Sequence, residues 1–137
     1  MGVLGLKFNK LTVERTNPPK GKISVNHNIS VTDVDSVDLF LGTAKQTVLK
    51  VDFKFTAEYA PKIAMIEIDG SLTYFDKPEK VKECVEKWKK DKKMPDAVLN
   101  DVLNQIVTKS NVEALFLARE VNLPPPIALP KVQVKQK

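Results

Sequence analysis

The chain has 137 residues, of which 42% are hydrophobic and 28% charged, with a formal net charge of +5 and a single cysteine. That length fits one domain with its own core and leaves little room for two. The composition excludes a disordered chain, no apolar run nears the roughly 20 residues of a bilayer span, and one cysteine cannot form an internal disulfide.

The opening Met1-Gly-Val-Leu-Gly-Leu6 is too short for a signal-peptide core, and Leu6 stands where a myristoylation motif needs Ser or Thr. A cytoplasmic location without membrane insertion is therefore expected, and Asn28-Ile-Ser30 reads as a chance sequon within a strand. From Leu6 to Thr16 the apolar phase moves from Leu6 and Phe8 to Leu11 and Val13, which predicts a kinked edge strand that Asn17-Pro18-Pro19 and Gly21 then end. From Lys22 to Val34 the odd positions Ile23, Val25, Ile29 and Val31 are apolar and the residues between them polar, the period of a half-buried strand.

The segment 33–46 fits neither period, and reads as a strand end plus a connection. Alternation returns in Leu49, Val51, Phe53, Phe55, Ala57 and Tyr59, and after a turn at Ala60-Pro61-Lys62 it continues from Ile63 to Phe75, with a bulge or bend expected near Gly70. Beyond Phe75 the spacing becomes helical. Asp76 is the candidate cap, Pro78 suits the first turn, and Val81, Cys84, Val85 and Trp88 form one narrow stripe. A second, broader helical face contains Val98, Leu99, Val102, Leu103, Ile106 and Val107, and either runs on to Arg119 or breaks at Ser110-Asn111. Residues 121–130 are held extended by their prolines, and 131–137 reads as a flexible basic tail after a single domain over 1–130.

Strands followed by helices predict an α+β fold, an antiparallel sheet with the helices packed on one face. The equipment of catalysis is thin. The one histidine, His27, lies on an apolar strand phase and reads as a core or interface residue; Cys84 shares the stripe of Trp88 and reads as a buried thiol. Phosphate loops, dinucleotide fingerprints and zinc-type clusters are absent, so the chain is read as a non-enzyme with no cofactor and no metal site. Asp33, Asp35 and Asp38 lack the glycine and terminal glutamate of a calcium loop and read as solvated residues.

Charge is concentrated in 77–93, with eight lysines and four acids. Only Arg15 and Arg119 are arginine, the residue whose planar fork suits phosphate and guanine, and the acids interleaved among the lysines suggest an ion-paired surface. Nucleic-acid association through this helix is therefore the alternative rather than the leading reading. The positive signal is apolar surplus: Ala114-Leu-Phe-Leu-Ala118 places large side chains all around a helix, and Leu123, Ile127 and Leu129 extend that surplus along a proline-stiffened strip.

These stretches resemble the SecB family of protein-export chaperones. Residues 48–57 with 63–75 look like the family's long central hairpin, Pro95 to Val107 like its second helix, and 121–130 like its Leu- and Pro-rich strip. The resemblance implies a four-stranded antiparallel sheet followed by two helices, and an ATP-independent holdase that binds unfolded or nascent polypeptides in apolar grooves of a homo-oligomer, a dimer or dimer of dimers. It places the client groove at Pro18, Pro19, Leu99, Leu103, Ile106, Val107, Leu115, Phe116, Leu123 and Ile127, and the oligomer interface at Leu6, Phe8, Leu11, Val13, Val81, Cys84, Val85 and Trp88. One departure stands out: export SecB proteins use acidic surface to meet their motor, whereas this chain has a pI near 9.3 and a Lys-rich first helix.

Overall fold

A computed structural model describes residues 2–18, 21–60 and 62–126. Pro19, Ile127 and the expected tail 131–137 lie outside the described residues. Four strands, β1 (Gly2–Arg15), β2 (Ser24–Leu41), β3 (Ala44–Ala60) and β4 (Ala64–Phe75), precede two helices, α1 (Pro78–Asp91) and α2 (Asp96–Glu120). The strands form one antiparallel sheet in the order β1-β4-β3-β2. The link from β1 to β2 therefore passes from one edge to the other across the β3–β4 turn, where the amides of Thr16 and Asn17 donate to the Ile63 carbonyl at 2.8 and 3.1 Å.

Alternation fixes which face is covered. Val51, Phe53, Phe55, Ala57 and Tyr59 of β3 and Ile66, Ile68, Leu72 and Tyr74 of β4 are buried, and both helices lie on that face. The opposite face is polar, with Lys54 and Glu67 paired across the strands at 2.9 Å. This pair draws the Glu67 carboxyl below its usual range and raises the Lys54 ammonium.

The segment 33–46 is no connection. It continues β2 to Leu41, turns tightly at Gly42-Thr43 and starts β3. A bulge between Val31 and Asp33 puts Val31 and Val34 on one face three residues apart, which destroys the period-two signal. Gly42, at φ 72°, takes the left-handed position of the two-residue turn.

The kink expected in β1 is a pair of bulges, at Val3/Gly5 and Phe8/Lys10; the second puts Phe8 and Leu11 on the same face. Gly70 pairs with Phe8 beside that bulge, so the irregularity lies on the neighbouring strand. The N-cap of α1 is Lys77, not Asp76, whose carboxylate accepts the Lys77 amide at 2.7 Å. α2 runs unbroken through Ser110-Asn111 for 25 residues, about 37 Å at 1.5 Å per residue. It ends in a Schellman turn: Leu123 and Asn122 donate to the carbonyls of Ala118 and Arg119, Asn122 is left-handed at φ 57°, and Leu123 is tucked into the core.

Candidate functional site

The seam by which α2 faces the sheet is Val98, Val102, Ile106, Ser110, Ala114 and Ala118, every fourth residue. Four residues advance the helix by a little more than one turn, so this seam rotates by about 40° per step. Side chains flanking it are covered in part or not at all. Leu99, Leu103, Leu115 and Leu117 are half-buried, and Val107, Val112 and Phe116 are exposed, Phe116 at 49% with the Arg119 guanidinium 5.4 Å from its ring centre. One sheet face cannot absorb an apolar surface that winds around its helix.

At the start of α2 this surplus borders a recess. α1 stops at Asp91, Lys92 turns the chain in the left-handed region at φ 58°, and Pro95 opens α2. Between this link and edge strand β2 lies a hollow of about 280 Å³, walled by Val31, Trp88, Met94 and Leu99 and rimmed by Lys92, Lys93 and Asp96. The Lys92 ammonium lies 5.5 Å from the Trp88 ring centre. Trp88 itself is buried, and its indole Nε1 has no acceptor among the described residues. An unpaired buried donor is costly, and this one is enclosed by the protein itself rather than open to the recess.

Two other hollows offer less. One, of about 340 Å³, lies between α1 and the start of α2 beside Tyr74 and Cys84. There the Tyr74 hydroxyl donates to Asp101 at 3.2 Å, and burial pushes the Cys84 thiol up, away from thiolate reactivity. Another, of about 570 Å³, is a polar trough between β1 and α2, lined by Val3, Asp101, Asn104 and Gln105 among others. Among the described residues no group of three or more His, Cys, Asp or Glu side chains could hold a metal ion. Asp38 is engaged by the Thr47 hydroxyl at 2.8 Å and by Lys45 at 3.2 Å, which lower its carboxyl, while Asp35 accepts the Ser36 amide at 2.8 Å.

The residues expected in a groove divide by exposure. Leu99, Leu103, Val107, Leu115 and Phe116 retain accessible surface, and Pro18 is exposed in the crossover, whereas Ile106 is fully buried and Leu123 nearly so. Ile106 belongs to the seam and Leu123 closes the helix end, so neither presents a surface to a ligand; Pro19 and Ile127 lie outside the described residues. Of those expected between subunits, Val81, Cys84, Val85 and Trp88 are buried within their own chain against β2 and β3. Their contacts are intramolecular, because a narrow stripe on α1 is what it takes to seat one helix on one sheet. Leu6, Phe8 and Val13 on β1 are half-buried against the same core, and Leu11 is 42% exposed. His27 is exposed rather than core, on the covered face of β2, with its ring centre 5.9 Å from that of Phe55.

Met94 is the wall residue that sequence reasoning passed over. Its signal was a lone large apolar side chain in a lysine-rich link just before a proline, the position where two helices and a strand edge converge.

No family model matches the chain, and no curated protein matches it in sequence. Among solved structures the fold is similar to that of the SecB-like chaperone of Mycobacterium tuberculosis, solved in complex with a ChAD peptide from the HigA1 antitoxin. The TM-score is 0.54 at 9% identity, covering 98% of this chain and 91% of that chain. At that identity the likeness is one of fold: a four-stranded antiparallel sheet followed by two helices.

Proposed function

We propose that this protein is an ATP-independent holding chaperone, which keeps unfolded polypeptides from aggregating by taking their apolar segments against α2 and the recess beside β2. The reading rests chiefly on the apolar surface winding around α2, from Leu99 and Leu103 to Val107 and Phe116, which the protein's own sheet leaves half-buried or exposed. A peptide-binding protein of similar fold lends it support.

The physics suits the task. An unfolded chain displays scattered apolar side chains, and a long, shallow apolar surface holds several of them weakly without demanding a sequence. Burying about 400 Å² of client surface at about 25 cal/mol per Å² offers about 10 kcal/mol before ordering costs, enough for micromolar or tighter net affinity. None of this requires bond-making chemistry or a cofactor. Assembly as a dimer or dimer of dimers would multiply weak contacts along one client, and Cys84, buried and unpaired, is compatible with work in a reducing cytoplasm.

The test is suppression of aggregation of several unrelated denatured proteins by the full chain without nucleotide, with native mass measured in parallel. Protection of diverse clients supports the reading, and failure on all of them ends it. Salt-sensitive binding of nucleic acid, lost when Lys82, Lys89 and Lys93 are reversed to Glu, would favour the alternative role for α1.

A further inference from the structure

The recess beside β2 combines two features that a plain apolar groove lacks. Its floor is apolar, from Val31, Met94 and Leu99, but its rim is basic. Residues 87–93 contain five lysines and one aspartate, and among the described residues none of those five lysines is ion-paired. Lys92 and Lys93 line the recess directly. The carboxylate on its lining, Asp96, sits in the first turn of α2, where the helix's own N-terminal amides already favour a negative charge. The second feature is the Lys92 ammonium, which lies 5.5 Å from the Trp88 ring centre and is thereby kept beside the hollow that both residues line.

We propose that this recess selects polypeptide segments in which a large apolar side chain is flanked by Asp or Glu, the apolar group filling the hollow and the carboxylates meeting Lys92 and Lys93. The proposal rests on the holding function above and narrows its clients. Charge complementarity calls for an anionic partner, and the apolar floor argues for a peptide rather than a nucleic acid. The lysines border a hollow with room for one aliphatic or aromatic side chain, whereas a phosphate backbone would gain nothing from Val31, Met94 and Leu99. Basic segments, by contrast, would bring like charge to the rim, which is costly where the approach is partly desolvated.

The test uses the full chain and dye-labelled peptides that share one Leu-Phe-Leu core, flanked by acidic residues, by Ser and Gly, or by Lys, with binding followed by anisotropy. The acidic-flanked peptide is expected to bind about tenfold more tightly than the Lys-flanked one at low salt, as two exposed charge pairs allow. The gap should close to about twofold at high salt. Reversing Lys92 and Lys93 together to Glu should invert the order, while Lys7→Glu on the opposite face of the sheet leaves it unchanged. Equal binding of all three, or tightest binding of the Lys-flanked peptide, overturns the selectivity while leaving the holding function intact. Binding of none overturns both. An acidic peptide with a Ser-Gly core that binds as tightly, or a single-stranded oligonucleotide that binds more tightly, makes this a general polyanion site and overturns the inference.

Discussion

The ring of Phe53 lies across Gly70 so closely that a Cβ at residue 70 would stand 2.7 Å from its Cζ and 2.5 Å from the Lys7 carbonyl oxygen. Gly70 thus lets a fully buried aromatic ring of β3 lie against β4, beside the place where β1 bulges. Gly70→Ala should lower stability by about 1–3 kcal/mol, seen as a lower urea midpoint with an unchanged slope. Adding Phe53→Leu should recover only part of the loss, since the Lys7 carbonyl remains in the way. Full recovery would mean that the ring alone sets the constraint.

Much of this arrangement is legible in the sequence, and where it is not there is a physical reason. Alternation from Leu49 to Tyr59 marks β3 because one face is dry and the other wet along its whole length. The shift from Phe8 to Leu11 announces a bulge, since only an extra residue puts positions three apart on one face. The same event at Val31–Val34 was masked, because Val37 and Leu39 beyond it put apolar groups on the other phase. On α2 the apolar residues are plain, but which of them the core absorbs depends on how far a straight helix rotates over a sheet. Ile106 and Val107 are neighbours of similar character, yet one is sealed and the other is open. The recess was legible least, because it joins Val31 to Trp88, Met94 and Leu99 across a turn whose direction rests on one left-handed lysine.

The Tyr59 hydroxyl donates to the Pro124 carbonyl at 2.5 Å, tying the proline strip to β3. Burial pushes this phenol up to about 12 from an ordinary 10.0. The folded state thus holds the proton more tightly than the unfolded state does. The stabilisation is complete below pH 10 and is lost as pH rises towards about 12. Tyr59→Phe should cost about 1 kcal/mol at neutral pH and flatten the decline in stability above pH 10, as measured by urea unfolding at a series of alkaline pH values. An equally steep decline in the variant would assign the alkaline loss to other groups.

Ser110 sits in the seam of α2 with its hydroxyl fully buried and without a partner among the described residues. Ser110→Ala removes the unpaired group, leaves the methylene contacts and improves helix propensity. It should therefore raise stability by about 1 kcal/mol, read from the urea midpoint. A fall in stability would indicate that the hydroxyl has a partner in the folded protein, as a buried water would provide.

Leu99 and Ile106 separate binding from folding. Both are aliphatic and lie two turns apart on one helix, but Leu99 reaches the recess while Ile106 is enclosed by the sheet. Ile106→Ala should cost about 2–4 kcal/mol of stability and leave the protection of clients, per folded molecule, nearly unchanged. Leu99→Gln should cost about 1 kcal/mol or less, since its side chain keeps contact with water, and should weaken binding of an apolar peptide several-fold. The two variants therefore move two readouts in opposite proportion, with unfolding midpoint on one axis and peptide affinity on the other. If Leu99→Gln binds peptide as the parent does, the recess is not where clients are held, whatever the aggregation assay shows.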